Sequence, residues 1–350
     1  MSVSLKDVAQ EAGVSVCTVS RVINDTYRHK VSDATRKKVY AAMKKLNYEP
    51  NLNARALVKK RTFLIGLLVS RLVVSFVSDI VQGIQDEADK HNYSILFYST
   101  YNDVAKEKAC FEALRRKRVD GIIYMPGAAD FCTSNEGKRY LRGIIAQGAK
   151  IVQMCSNYPQ IDTPYVIIDN EAGGYVATRH LASLGHTRIA HFHESTTRDG
   201  EERYAGYMLA LKGAGIAYDA ELVKPCRYDW RSGYEAMEQL LALPNPPTAV
   251  VACDDMSAWG AMQATMDHGL RVPDDVAITG YDDVAIAELL PTALTTIHHP
   301  KADLGGLTVK MLLEHIDGKL PLNYVLTPQL VVRQSCGAKA LSRFETYMPK

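Results

Sequence analysis

The amino-acid sequence predicts a small all-α head joined to a larger α/β core of two doubly wound parallel-sheet subdomains. Three observations carry this expectation. The charge is unevenly divided: residues 1–62 hold thirteen Lys and Arg against five Asp and Glu, a balance of +8, whereas the remaining 288 residues hold 28 against 34, a balance of −6. Within the head, apolar residues recur every three or four positions, the period of short helices. After Thr62 the pattern changes to runs of β-branched and aliphatic residues, each followed by an amphipathic stretch, as in parallel strands covered on both faces. A chain of 350 residues has room for two or three such units.

In the head, Ser4 is placed to cap a first helix over Leu5–Ala12 that buries Val8, Ala9 and Ala12. Gly13 stands where a helix end favours a left-handed residue. Ser15 opens a second helix over Val16–Ile23, with Val19, Val22 and Ile23 inward and Cys17, Thr18, Ser20 and Arg21 outward. A third helix, opened by Ser32 or Asp33, runs from 34 to about 46 with a face of Arg36, Lys37, Lys38, Lys44 and Lys45. Two helices joined by a three- or four-residue turn, with small Ala9 and Gly13 allowing close approach, form a helix-turn-helix. The second helix would enter a major groove, where Arg21 can bond a guanine edge bidentately. A plain helical bundle with a solvated lysine face is the bland alternative. The spacing Ala9–Gly13–Val19, the capping Ser15 and the excess of positive charge favour DNA.

LKDVAQEAGVSVCTVSRVIN followed by VSDATRKKVYAAMKKLNYEPN resembles the DNA-binding head of the LacI/GalR repressor family. The resemblance implies that Val16, Cys17 and Arg21 read bases while Thr18 and Ser20 hold phosphates. Cys17 departs from the family pattern; a small filler is its simplest reading, and a redox switch the alternative. The segment Asp25–Lys30 is about two residues longer than the family pattern and adds Arg28 and Lys30. Next, Asn51 can cap a helix of about seven residues, too short to persist alone in water. PNLNARAL resembles the family's hinge helix, which pairs with its dimer mate in the minor groove. That implies a leucine wedge at Leu57, with Asn51, Ala54 and Arg55 beside it; a flexible linker is the alternative.

In the body, strand-like runs at 63–69, 94–99, 121–125 and 150–154 alternate with helical stretches at 77–91, 104–117 and 138–148. A second series has strands at 165–169, 188–192, 248–253 and 275–281, with helices at 171–184, 203–214, 234–243 and 256–268. Two series imply two subdomains, and ligands of such sheets sit beyond the carboxyl ends of the strands. No phosphate loop, dinucleotide glycine turn or nucleophile elbow is present, so no catalytic residue, cofactor or enzyme is expected. His191/His193 and His298/His299 lack the spacing of a zinc pair, and no metal site is expected. Seven scattered cysteines read as free thiols in a reducing compartment. The N-terminus lacks a secretory layout and no apolar run could span a bilayer, so a cytoplasmic protein with no membrane partner is expected.

VIIDNEAGGYVATRHLASLGHTRIAHF, PTAVVACDDMSAWGAM, GLRVPDDVAITGYDD and LTTIHHPK extend the resemblance to roughly residues 4–337, closest in parts to the purine repressor branch. Through the family they point to a periplasmic-binding-protein-like core. The implied plan is a helix-turn-helix domain at 1–49, a hinge and linker at 50–62, an effector-binding and dimerisation core at 63–337 and a short tail at 338–350. Within the core, the first subdomain would take about 63–161 and 293–320, and the second about 162–290 and 321–337. The implied effector residues are Phe76, Arg203, Tyr228, Asp254 and Asp282. A guanidinium and two carboxylates can hold vicinal hydroxyls or polar ring edges, and the aromatic rings can stack on a sugar or base face. Asp254 also reads as a helix cap and Phe76 as a core residue. Thr197 and Asp199 stand where purine-binding relatives carry ligand-contacting polar groups, which weakens a purine reading. The tail lacks leucine heptads, so a homodimer is expected in place of a tetramer.

The function implied is a sequence-specific transcription regulator, a repressor in preference to an activator, on a near-palindromic DNA operator. Its affinity would be controlled by a small-molecule effector, a sugar or sugar derivative. A solute-binding protein without regulatory role, a purine-type corepressor-dependent regulator and a nucleotide- or sugar-modifying enzyme are the alternatives.

Overall fold

The structure, a computed structural model, describes residues 3–23, 31–48, 61–69, 74–101, 103–126 and 130–338. The chain divides into two compact units, Met1–Phe63 and Leu64–Lys350.

The first unit has three described helices: α1 (Leu5–Ala12), α2 (Val16–Ile23) and α3 (Asp33–Lys45). Local chemistry sets their ends. The Ser4 N–H and hydroxyl both donate to Asp7 Oδ2 at 2.8 Å, closing the first turn of α1. Gly13 ends α1 at φ +65°, a conformation other L-residues rarely adopt. Ser15 Oγ accepts the Thr18 N–H at 3.1 Å and Ser32 Oγ accepts the Thr35 N–H at 3.2 Å, so α2 and α3 begin at capping serines. Val8, Ala9, Val19, Val22, Val31, Val39 and Ala42 form one core, and a Lys45–Glu11 ion pair at 2.7 Å links α3 to α1 on the outside.

In the second unit the first sheet contains β1 (Leu64–Val69), β2 (Ser94–Ser99), β3 (Gly121–Met125), β4 (Ile151–Cys155), β5 (Tyr165–Ile168) and β11 (Tyr324–Leu326), in the order β11-β5-β4-β3-β1-β2. All its pairs are parallel. The helices of this half are α4 (Val74–Lys90), α5 (Val104–Arg116), α6 (Asp130–Thr133), α7 (Asn135–Ala146) and α13 (Lys301–Ile316). The second sheet contains β6 (Ile189–His193), β7 (Val223–Pro225), β8 (Ala249–Val251), β9 (Ala277–Tyr281), β10 (Thr295–His298) and β12 (Gln329–Val331), in the order β12-β10-β9-β8-β6-β7. Among its described pairs only β10–β12 is antiparallel. Its helices are α8 (Asn170–Ser183), α9 (Arg198–Gly213), α10 (Trp230–Leu241), α11 (Asp255–Asp267) and the short α12 (Ile286–Leu289).

Strand pairing corrects the expected subdomain boundaries. The run at 165–169 does not open the second subdomain: Gln153 pairs with Tyr165 and Met154 with Val166, so β5 belongs to the first sheet. Residues 295–298 do not return to the first: β10 lies beside β9 in the second sheet, and the return begins with α13. β11, expected in the second subdomain, pairs with β5 in the first. The chain therefore crosses between sheets after β5, after β10 and between β11 and β12. The physical reason is that strands buried on both faces carry the same apolar pattern in either sheet, so the pattern reveals a strand but not its neighbour.

Helix starts shift for a simpler reason. α9 begins at Arg198, five residues before the expected 203, because Thr197 Oγ1 accepts the Gly200 N–H at 3.2 Å. Arg203 thus sits in the second turn of α9, not at its start. Likewise, Asp229 starts α10 at Trp230 by accepting the Ser232 N–H at 2.9 Å.

Candidate functional site

On the first unit, the outward face of α2 presents Val16, which is 42% exposed, together with exposed Cys17 and Arg21. Thr18 and Ser20 are half-buried at the flank, and the Thr18 hydroxyl lies 2.9 Å from that of Ser15. An exposed valine and a long cation on a short, capped helix leave its amino-terminal end open to a partner. Lys37, Lys38, Lys44 and Lys45 are exposed on α3. Asn51, Ala54, Arg55 and Leu57, and the added Arg28 and Lys30, lie outside the described residues.

In the second unit, the carboxyl ends of the strands gather the polar side chains. Arg203 is buried, although it is a cation. Close packing of α8 on α9 places it there: a Cβ at Gly174 would lie 2.1 Å from the Arg203 carbonyl oxygen, and one at Gly206 would lie 2.0 Å from that of Glu171. Only glycine allows the two backbones so near. From that position Arg203 Nη1 donates to the Cys253 carbonyl at 2.6 Å and Nε to Asn170 Oδ1 at 3.2 Å. Nη2 lies 3.6 Å from Asp282 Oδ1 and 3.8 Å from Asp199 Oδ2. The guanidinium covers the Tyr281 ring at 3.6 Å and approaches that of Tyr228 at 5.5 Å.

Asp282 and Asp283 follow β9 with φ of +100° and +50°, in the region that non-glycine residues seldom occupy. Such strain is held by neighbours and gathers at functional sites. Asp283 is tied down by Arg333 at 2.7 Å and His298 at 2.8 Å. Burial opposes its charge, yet these hydrogen bonds hold its carboxyl at about 2. Asp282 is different: burial raises its carboxyl above the ordinary range despite Arg203. Its Oδ1 accepts no hydrogen bond among the described residues.

Asp254 is the N-cap of α11, its Oδ1 accepting the Ser257 N–H at 2.8 Å while Ser257 Oγ accepts the Asp254 N–H at 3.1 Å. Burial, helped by the nearby Asp282 charge, pushes Asp254 up to about 7. The neighbouring Asp255 is consumed internally by the Thr296 hydroxyl at 2.5 Å and the Val284 N–H at 2.8 Å. Tyr228, half-buried, donates to Asp199 Oδ2 at 2.6 Å and lies 3.0 Å from the Thr197 hydroxyl. Phe76, half-buried in α4, meets His299 edge-on with centroids 5.4 Å apart.

Arg203 therefore stands between Asp282, at 3.6 Å, and the Tyr228 ring, at 5.5 Å. Asp254 joins them through its electrostatic influence, and Phe76 through His299. Sequence reasoning did not find Asn170, Tyr281 or His299. His299 sits at the carboxyl end of β10, fully buried, 3.6 Å from Asp282 Oδ1, and neither ring nitrogen has a hydrogen-bond partner among the described residues. The pair His298–His299 was visible, but nothing in the sequence distinguished the tethered ring from the unpartnered one. Among the described residues, no group of three or more His, Cys, Asp or Glu is placed to hold a metal ion. No helix among them is long and apolar enough to cross a membrane.

Comparison with known proteins gives two family matches. Residues 4–51 match the model described as bacterial regulatory proteins, lacI family, and residues 178–336 match that of a periplasmic binding protein-like domain. The chain is 37% identical over 338 residues to the HTH-type transcriptional regulator DegA of Bacillus subtilis (strain 168), covering 96% of this chain and 98% of DegA. It is 35% identical over 337 residues to the HTH-type transcriptional repressor PurR of Mannheimia succiniciproducens, covering 95% and 98%. Among solved structures it is similar to the lac repressor dimer bound to operator and the anti-inducer ONPF, with TM-score 0.85, 31% identity and coverage of 97% and 100%.

Proposed function

The chain belongs to the lacI family of bacterial regulatory proteins, and from that premise we propose that it is a homodimeric, cytoplasmic transcription regulator, a repressor, whose operator affinity is set by a small molecule bound in the core. The observation that carries this reading is the outward face of α2, where Val16, Cys17 and Arg21 stand exposed on a helix whose other side is core. We assign base reading to these three and phosphate contacts to Thr18 and Ser20. The hinge roles belong to Asn51, Ala54, Arg55 and Leu57, with Leu57 wedged into the central base step.

The effector cleft comprises Arg203, Tyr228, Asp254, Asp282 and Phe76, with Tyr281 and His299 as its walls. Closure of the two sheets about the effector would change how the two hinge segments meet, a coupling of about 1–3 kcal/mol in typical allosteric proteins. A sugar or sugar derivative fits the mixture of carboxylates, guanidinium and aromatic faces.

Selection of binding sites from a pool of random duplexes tests the DNA reading. A near-palindrome is expected, with affinity falling steeply as salt rises. Arg21→Ala should cost about 1–3 kcal/mol and relax preference at one base pair in each half-site. A protein that prefers no duplex over random competitor, with or without metabolites, would remove the proposal.

A further inference from the structure

Around Arg203 in the second unit's cleft one guanidinium faces two carboxylates, with Nη2 3.6 Å from Asp282 Oδ1 and 3.8 Å from Asp199 Oδ2 and hydrogen-bonded to neither. The cleft's described cations are already committed. Arg203 gives its Nη1 and Nε protons to Cys253 and Asn170, and its face to Tyr281. Lys301 Nζ donates to the carbonyl oxygens of Asp282 at 2.6 Å and Asp283 at 2.9 Å. Three carboxylates surround the Arg203 guanidinium or lie within its electrostatic reach: Asp199, Asp282 and Asp254. Asp199 is occupied by the Tyr228 hydroxyl. Asp282 Oδ1 is buried and accepts no hydrogen bond among the described residues, and Asp254 spends Oδ1 on the helix cap. Beside them, His299 is fully buried with both ring nitrogens unpartnered among the described residues.

Buried acceptors without donors are expensive, and one cation shared at 3.6 and 3.8 Å between two carboxylates compensates neither fully. A phosphate group would add negative charge where one guanidinium already faces two carboxylates. A hydroxyl would bring a donor but no charge. An ammonium group brings three donors and a second positive charge in one group. We propose that the effector presents a protonated amine to Asp282 and Asp254, with His299 accepting a further hydrogen bond from it; an amino sugar has this chemistry, its ring lying between Tyr228 and Phe76. The inference rests on the cleft being the effector site.

Matched probes test it by thermal shift on the full-length protein: glucosamine, glucose and glucose 6-phosphate, the equivalent galactose set, and putrescine. A ligand that binds only the native state raises its melting temperature. An aminated probe is expected to give a rise of about 5 °C or more at saturation, its hydroxyl counterpart less, and the phosphates none. The rise should be lost in Asp282→Asn, which keeps the shape and tolerates the positive φ, and reduced in Asp254→Asn, which keeps the cap. A neutral or phosphorylated probe that outperforms the amines and loses its effect in Asp282→Asn overturns the amine but leaves the cleft as the effector site. An amine whose effect survives both substitutions places binding elsewhere and overturns both. A panel in which no amine raises the melting temperature also overturns the inference.

Discussion

Arg203→Ala is the most informative single change in the core. It leaves the buried Asp282, and Asp199 beside it, without their counter-charge at 3.6 and 3.8 Å. Removing one member of a buried ion pair costs about 3–5 kcal/mol, because the partner is left buried and uncompensated. The Cys253 carbonyl and Asn170 amide each lose a donor, about 1 kcal/mol apiece. Against this, the ion-pair separations are long and water can enter the emptied space. The net expectation is about 4 kcal/mol, or roughly 8–16 °C in melting temperature for a unit of this size.

The pH dependence has a definite sign. Burial already raises the Asp282 carboxyl, with Arg203 opposing; without Arg203 it rises further. A carboxyl whose folded pKa exceeds its unfolded one costs stability above the unfolded value, and that cost disappears on acidification below it. The deficit of the variant should therefore shrink as pH falls from 8 towards 4. Urea unfolding followed by circular dichroism at several pH values reads this directly. A deficit under about 1 kcal/mol, or one of equal size across that range, would refute the electrostatic account of the site.

Other expectations follow from separate features. Gly174→Ala would drive a methyl into the Arg203 carbonyl oxygen and should destabilise the core by at least about 1–3 kcal/mol; an unchanged urea midpoint would contradict the helix contact. Asp254, held at about 7, makes the unliganded core less stable as pH rises from about 4 to 7, so Asp254→Asn should flatten the stability–pH curve over that interval. In the head, Ser15→Ala removes the cap of α2 and should cost about 1 kcal/mol, measured by thermal unfolding of the head's helical signal. Leu57→Ala should weaken operator binding and reduce bending, and an unchanged bend angle in a gel-shift phasing assay would remove the wedge.

Much of the local structure was legible in the sequence because its causes lie within four residues. Ser4, Ser15 and Ser32 announce the helices they begin, Gly13 ends one at φ +65°, and the apolar runs from 64 to 125 are strands almost to the residue. Helix starts at 198 and 230 were missed because the caps Thr197 and Asp229 precede first turns, Arg198–Glu201 and Trp230–Gly233, that show no apolar periodicity. β7, β10, β11 and β12 were missed because three or four residues without a longer apolar run display no pattern, whereas β8, also three residues, lies inside the apolar run 248–253.

The sequence alone determined that this chain has a basic helical head and an acidic core of alternating strands and helices, since charge and hydrophobic period are properties of short segments. The tertiary structure decided which strand joins which sheet, because apolar runs buried on both faces are interchangeable until hydrogen bonds choose a neighbour. It also decided the character of the site. Arg203 and Asp282 stand out in the sequence, yet that the guanidinium bonds Cys253 and Asn170 and covers Tyr281, while Asp282 Oδ1 and the His299 ring nitrogens have no hydrogen-bond partner among the described residues, depends on contacts between distant positions. Charge balance in a cleft is a sum over neighbours in space, and only folding makes them neighbours.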